Sequence, residues 1–146
     1  MKYLKIFENF EDIHEICKKY RIKNYTINND GSIDVDGDVM LKGYSLVEIP
    51  INFHHVSGYF DCEYNNLTTL KGSPKSVGGN FYCDWNYLTK LEGGPQSVGG
   101  SFWCEYNYIT SFEGSPNHVG DNFHCVSNPI ENIWKLFQDY SKVELL

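Results

Sequence analysis

Positive charge is scarce in this sequence of 146 residues, which has 12 lysine and arginine residues against 19 aspartate and glutamate residues and a net charge of −7. Direct nucleic-acid binding normally needs a basic stripe that displaces counterions, so the composition argues against it and favours a basic protein partner. The sequence also lacks an apolar run long enough to span a membrane. Its first residues become acidic before the apolar core of a signal peptide could form, and we therefore expect a cytoplasmic protein.

The cysteines cannot all be paired within one chain, because there are five of them. In a reducing cytoplasm these residues are expected to be free thiols. Aromatic residues, by contrast, make up 16% of the chain, which excludes a disordered chain because such chains lack aromatic residues. The length suffices for one domain with a core of its own.

A repeat of 21 residues dominates the sequence. Four blocks read VSGYFDC, VGGNFYC, VGGSFWC and VGDNFHC, beginning at Val56, Val77, Val98 and Val119. An asparagine column follows at Asn65, Asn86, Asn107 and Asn128, and apolar columns follow at Leu67, Leu88, Ile109 and Ile130 and at Leu70, Leu91, Phe112 and Ile133. Turn columns complete the unit at Gly72, Gly93 and Gly114 and at Pro74, Pro95 and Pro116.

The repeat predicts a solenoid of stacked coils. Apolar residues at alternate positions, as in Phe81-Tyr82-Cys83, are typical of a short strand, and Gly and Pro turn the chain back. A single coil cannot bury its own apolar side, so neighbouring coils must stack at about 4.8 Å per strand. A buried asparagine in each coil can hydrogen-bond the backbone of the turn, which predicts an asparagine ladder.

One degenerate unit precedes the four blocks, because Tyr44 stands where the later units have asparagine. Its apolar and glycine columns are Val35, Gly37, Val39 and Leu41, followed by Leu46 and Ile49. We expect a single domain with an N-terminal cap at 1–32, about five coils at 33–128, and a C-terminal cap helix and tail at 129–146.

Helices are predicted at both ends of the array. In the first, at residues 9–20, an apolar stripe has helical spacing. That stripe contains Phe10, Ile13, Ile16, Cys17 and Tyr20. We expect this helix to cover the first open coil, with partner binding as the alternative. Pro129 suits the first position of a second helix, whose apolar stripe would cover the strand edges of the last coil. This second stripe contains Ile130, Ile133, Trp134 and Phe137.

The unit apolar-x-apolar-x-x-Asn-x-apolar resembles the leucine-rich-repeat signature, with Phe and Cys in two of the leucine positions. The stretches LTTLKGSPKSVGGNFYC, LTKLEGGPQSVGGSFWC and ITSFEGSPNHVGDNFHC are still more similar to the LTSLEGSPKSVGG-x-F-x-C units of short repeat proteins encoded by tailed bacteriophages. The leader NYTINNDGSIDVDGDV and the tail NPIENIWKLFQDYSKVELL resemble the same group. The resemblance implies a leucine-rich-repeat-like solenoid of phage origin, and it implies no settled function.

The repeated cysteines form a column at Cys62, Cys83, Cys104 and Cys125. Zinc ligands must converge on one point, whereas a ladder spreads its members along an axis. The spacing Phe-x-Cys also directs both residues to the same buried side, where a free thiol acts as a small apolar group. We expect a packing role, with metal binding, redox chemistry and a disulfide between coils as alternatives.

Acidic residues alternate with apolar residues and glycine in the leader, at Asp34, Asp36 and Asp38, as on a half-exposed strand. A turn at Asn29-Asp30-Gly31 is predicted before it. The calcium-loop pattern of an EF-hand fails here, which leaves weak metal binding as the alternative. The five histidines form no motif with Ser or Cys, and no phosphate-loop signature occurs. We therefore expect no catalytic activity, no bound metal and no cofactor.

Strand alternation predicts which side chains face outward if the phenylalanines face inward. The candidate binding residues on that outward side are Tyr59, Asp61, Glu63, Tyr82, Asp84, Trp103, Glu105 and His124. No lysine or arginine occupies any of these positions, or Asp36, Asp38 and Met40 of the first coil, which continue the outward set. Further aromatic residues lie at the edge of the same sheet, at Tyr64, Trp85, Tyr106, Tyr87 and Tyr108. Rings beside carboxylates are typical of interface hot spots, although a merely solvated face is the alternative.

These features predict a monomeric, non-catalytic interaction module that binds a protein with a basic surface, and the resemblance to phage proteins implies that this partner is a host protein. Inhibition of a host defence or nucleic-acid enzyme would fit a face on which carboxylates stand in for phosphates. The alternatives are a structural or self-assembling phage component and a glycan-binding solenoid.

Overall fold

The computed structural model describes residues 12–130. Within them the chain forms a β-solenoid of about four stacked coils of about 21 residues, preceded by a helix, α1, at residues 12–19. The coils contribute short strands to two sheets, and the remaining side of each coil has no strand.

The first sheet contains, in spatial order, β1 (Tyr25–Ile27), β2 (Ile33–Val35), β4 (Phe53–Val56), β6 (Ser76–Val77), β8 (Ser97–Val98) and β10 (His118–Val119). The second contains β3 (Val39–Met40), β5 (Phe60–Asp61), β7 (Phe81–Tyr82), β9 (Phe102–Trp103) and β11 (Phe123–His124). All neighbouring strands are parallel except β1 and β2, which are antiparallel. The predicted stacking of parallel strands is confirmed, but the division of each unit between two sheets was not predicted.

A glycine corner separates the two sheets. A Cβ atom added to Gly99 would overlap the carbonyl oxygen of Gly78 in the preceding coil, and one added to Gly120 would overlap that of Gly99. The corners lie so close because Gly99 N–H donates to the Val77 carbonyl at 2.8 Å. The VGG motif is therefore explained by backbone stacking on backbone, which leaves no room for a side chain.

The core follows the solenoid axis as a column of stacked phenylalanine rings with centroids 5.0 to 5.4 Å apart. The cysteine column lies beside it, and the Cys62 thiol donates to the Tyr82 carbonyl at 3.2 Å. All five cysteines are free and buried, so the predicted packing role is confirmed. Burial raises the pKa of Cys62, Cys83 and Cys104 well above the ordinary thiol value, which suppresses the reactive thiolate.

The predicted asparagine ladder is present on the side without strands. Asn86 Nδ2 donates to the carbonyl groups of Cys62 at 3.0 Å and Cys83 at 3.2 Å, and its Oδ1 accepts from Leu67 N–H at 3.0 Å. Asn65, Asn107 and Asn128 repeat this arrangement. Each asparagine therefore joins its own coil to the preceding one, because backbone groups that are left without a strand partner must still be hydrogen-bonded.

The start of the array combines α1 with a hairpin. α1 buries Ile13 and Cys17, and Tyr20, directly after it, is buried as well. The Tyr20 ring packs edge-on against Tyr44 of the first coil, with ring centroids 5.0 Å apart. The predicted turn between β1 and β2 is confirmed, with Gly31 at φ +82°. The single alternating strand predicted over residues 34–39 is wrong, because β2 ends at Val35 and residues 36–38 form the corner to the second sheet.

Some predictions fall on other parts of the chain. Residues 9–11 of the first predicted helix and the second helix with its Ile133, Trp134 and Phe137 stripe lie outside the described residues. Within residues 12–130, no helix is both long and apolar enough to cross a membrane.

Candidate functional site

The outer surface of the second sheet carries the residues selected by the repeat pattern. We call this set the sheet face; it comprises Tyr59, Asp61, Glu63, Tyr82, Asp84, Trp103, Glu105 and His124. Parallel register places Tyr82, Trp103 and His124 side by side in successive coils. The Tyr82 and Trp103 ring centroids lie 6.2 Å apart, and those of Trp103 and His124 lie 3.5 Å apart. The repeat therefore produces a continuous band of rings along the solenoid axis.

Stacking leaves these rings half-buried rather than freely exposed. Tyr59 packs edge-on against Tyr82 at 6.4 Å, and Asn80 Nδ2 donates to the Tyr82 hydroxyl oxygen at 2.6 Å. The indole N–H of Trp103 is enclosed and has no hydrogen-bond partner among residues 12–130. The expectation that these rings are exposed is wrong. They form a stacked, half-buried band, because each ring covers the face of its neighbour.

Two of the predicted outward carboxylates are buried instead. Asp61 is 9% exposed and Asp84 is 6% exposed, so the expectation that both face solvent is wrong. Asp61 Oδ1 accepts from Glu63 N–H at 3.0 Å, and Asp84 Oδ1 accepts from Glu105 N–H at 2.5 Å. These carboxyl groups turn inward because they satisfy backbone donors that follow the strand ends.

Burial changes the ionisation of the same two groups. The pKa of Asp84 is raised to about 8, mainly by burial and to a smaller extent by a side-chain hydrogen bond to Glu63. Burial also raises the pKa of Asp61. Asp84 is therefore mostly protonated at neutral pH, and the sheet face is less negative than its sequence implies.

Glu63, Asp84 and Glu105 occupy one column of the repeat. In the first coil the same column holds Lys42, one repeat before Glu63, which was not among the predicted site residues. Lys42 Nζ lies 2.5 Å from Glu63 Oε2 and 5.0 Å from the centre of the Tyr64 ring. The hydrogen bond to Glu63 raises the pKa of Lys42. Glu105, by contrast, is half-exposed and has no lysine or arginine partner within residues 12–130.

A set of exposed rings lies just beyond this column, where each coil passes through left-handed backbone. Tyr64, Trp85 and Tyr106 have φ values of +52°, +54° and +50°, and Gly43 and Ser127 occupy the same column with positive φ. The three rings are 51%, 45% and 44% exposed. They stack with centroids 5.6 and 4.1 Å apart and planes within 9° and 10° of parallel. The turn therefore directs a second set of rings into solvent.

A further exposed pair, Tyr87 and Tyr108, stacks two positions later with centroids 5.9 Å apart. A groove of about 400 Å³ lies between this pair and the Trp85–Tyr106 stack. We call it the aromatic groove; it is lined by Trp85, Tyr87, Tyr106 and Tyr108 together with Asn65, Asn86, Asn107 and Ser127. None of these lining residues carries a charge.

No protein-family model, curated protein or solved structure matches the chain. Within residues 12–130 no group of three or more His, Cys, Asp and Glu side chains is placed to hold a metal ion.

Proposed function

We propose that this chain is a non-catalytic protein-binding module whose sheet face recognises a partner with a basic surface. The observation that carries the proposal is the stacked band of Tyr82, Trp103 and His124 beside Glu105, a carboxylate without a cationic partner in the described residues. Rings held by stacking lose little conformational entropy on binding, and they bury a large area. An unpaired carboxylate next to them favours a partner that supplies lysine or arginine.

The sheet face has few negative charges with which to attract a basic partner. Asp84 is mostly protonated at neutral pH and Glu63 is paired with Lys42. Glu105 and the exposed Asp36 and Asp38 of the first coil supply the remaining negative charge near this face. Because only a few ion pairs can form, we expect salt to weaken binding without abolishing it.

The proposal also covers the type of solenoid, the role of α1 and the source of the chain. The asparagine ladder and the 21-residue period support a leucine-rich-repeat-like solenoid, and the contact between Tyr20 and Tyr44 supports α1 as a cap of the first coil. We propose a phage protein that acts in the host cytoplasm. A host defence or nucleic-acid enzyme is a suitable target class, because carboxylates can occupy sites that normally bind phosphates.

Affinity capture from bacterial lysate with the purified protein as bait tests the proposal. The test variant changes Tyr82, Trp103 and Glu105 to alanine. The matched control changes the exposed Lys75, Gln96 and Asn117, which lie outside the sheet face, to alanine. Circular dichroism checks that both variants fold.

We expect the wild type and the control to recover the same basic protein. The test variant should recover at least about tenfold less of that protein. Raising the salt concentration should reduce recovery by the wild type. Equal recovery by the folded test variant, or recovery of partners no more basic than the lysate average, would overturn the proposal.

A further inference from the structure

We propose that the aromatic groove binds an extended proline-rich peptide in the polyproline II conformation, with an arginine or lysine at its end. The groove lies beside the sheet face but is formed by different residues. The inference therefore goes beyond the proposed function, and each can fail without the other.

The lining of the groove matches the chemistry of proline. Four aromatic rings form its walls, and its lining contains no charged side chain. The indole N–H of Trp85 and the hydroxyl groups of Tyr87, Tyr106 and Tyr108 make no hydrogen bond within residues 12–130. Proline presents an apolar ring and a carbonyl acceptor but no N–H donor. A surface that offers ring edges and unused donors can therefore satisfy a proline-rich chain along its length.

The spacing of the coils also matches this conformation. A polyproline II helix advances about 3.1 Å per residue, so one turn of three residues covers about 9.3 Å. Two solenoid coils cover about 9.6 Å at the usual strand spacing. A peptide that runs along the solenoid axis would therefore keep pace with the backbone of every second coil. The groove spans the coils from Asn65 to Ser127, roughly 14 Å, which accommodates about five residues.

Charge complementarity favours a peptide with a positively charged residue at its end. Glu105 is half-exposed, and it immediately precedes Tyr106, a residue that lines the groove. It has no lysine or arginine partner within the described residues, and no cation lines the groove. An arginine or lysine next to the proline segment would supply the missing partner.

Ring orientation disfavours the other common ligands of aromatic surfaces. Sugars and nucleobases stack on open ring faces. Here Trp85 and Tyr106 cover each other at 4.1 Å, and Tyr87 and Tyr108 cover each other at 5.9 Å with near-parallel planes. The groove therefore presents mainly ring edges, which suit insertion of a pyrrolidine ring better than stacking of a flat ligand.

Isothermal titration calorimetry with a synthetic peptide of seven prolines flanked by arginines tests the inference on the full chain. We expect saturable binding with one peptide per chain, weakened about tenfold or more by Tyr108→Ala and by Tyr87→Ala. Tyr108→Phe, which removes only the hydroxyl group, should give a several-fold loss. Val47→Ala is the matched control, because Val47 is 69% exposed and does not line the groove.

Two further probes make the outcome decisive. A peptide with alanine in place of every second proline should bind about tenfold more weakly, because it loses the preformed conformation. Equal binding of both peptides, no saturable binding of the proline peptide, or binding of cellohexaose in its place would overturn the inference. Tyr108→Ala should still capture the basic partner of the sheet face, so that result separates failure of this inference from failure of the proposed function.

Discussion

The side chain of Asp84 hydrogen-bonds to the side chain of Glu63, which lies one coil earlier. Two carboxyl groups can share a hydrogen bond only when one of them carries a proton. Burial of Asp84 and its bond to Glu63 raise the pKa of Asp84 to about 8, so Asp84 supplies that proton at neutral pH. Lys42 contacts Glu63 from the first coil at 2.5 Å. The three residues thus form a polar row along the solenoid axis.

Replacing Asp84 by asparagine should change the pH dependence of stability. The pKa of Asp84 is higher in the folded state than the ordinary value of 3.8. Its stabilising contribution is therefore complete below about pH 4 and is lost as the pH rises through about 8. Asp84→Asn keeps a donor and an acceptor without ionising. We expect the variant to be more stable than wild type at about pH 9, by on the order of 2 kcal/mol, in urea unfolding.

Asp121→Asn is the control for that experiment, because Asp121 is an exposed carboxylate. Its unfolding curves should follow the wild type across the same pH range within about 0.5 kcal/mol. An Asp84→Asn variant that tracks the wild type from about pH 4 to 9 would show that Asp84 does not hold a proton in the folded chain.

Asn86→Ala should weaken the ladder that connects the coils. The side chain donates to Cys62 and Cys83 carbonyls and accepts from Leu67 N–H, and all of these groups are buried. Removing it leaves several of them unpaired, which should reduce the free energy of unfolding by about 3 kcal/mol. Asn66→Ala, whose exposed amide makes one contact of 3.4 Å, should cost about 0.5 kcal/mol or less. Similar losses in the two variants would contradict the ladder.

Gly99→Ala should destabilise the corner between the two sheets. The new methyl group would overlap the Gly78 carbonyl, so the stacked coils must separate locally. We expect a loss of about 3 kcal/mol or more in thermal or urea unfolding. Ser97→Ala in the same coil should change stability by about 0.5 kcal/mol or less. Tolerance of Gly99→Ala would mean that the coils do not approach as closely as described.

The thiols of the cysteine column should be unreactive in the folded chain. Cys62, Cys83 and Cys104 are completely buried, and burial raises their thiol pKa well above the ordinary value. Native protein should react with a thiol reagent about a hundredfold more slowly than protein unfolded in urea. Mass spectrometry after brief labelling locates the modified residues. Rapid modification of Cys83 in the native state would refute the buried column.

Several features of the solenoid follow from one unit of the repeat. The direction of Phe81 and Cys83 is given by alternation within a strand, and the role of Asn86 is given by its place at the turn. Stacking then repeats both in every coil. The sequence also placed Tyr82 and Trp103 in one column correctly, because residues one period apart must be neighbours.

Other features depend on contacts between coils. Strand alternation predicted that Asp84 faces solvent. The carboxyl group of Asp84 instead turns inward, because it accepts a hydrogen bond from the Glu105 N–H of the next coil. The exposure of Trp85 follows from its left-handed backbone, for which its residue type carries no signal. Lys42 could have been found by counting one period back from Glu63, since the column itself is periodic.

The sequence alone determined the period, the inward column and the asparagine ladder, because each of these needs only local chemistry repeated every 21 residues. The tertiary structure decided the division into two sheets, the burial of Asp61 and Asp84, and the groove between two sets of exposed rings. The physical reason is distance: these features depend on how closely one backbone approaches the next, and that distance is set only when the coils stack.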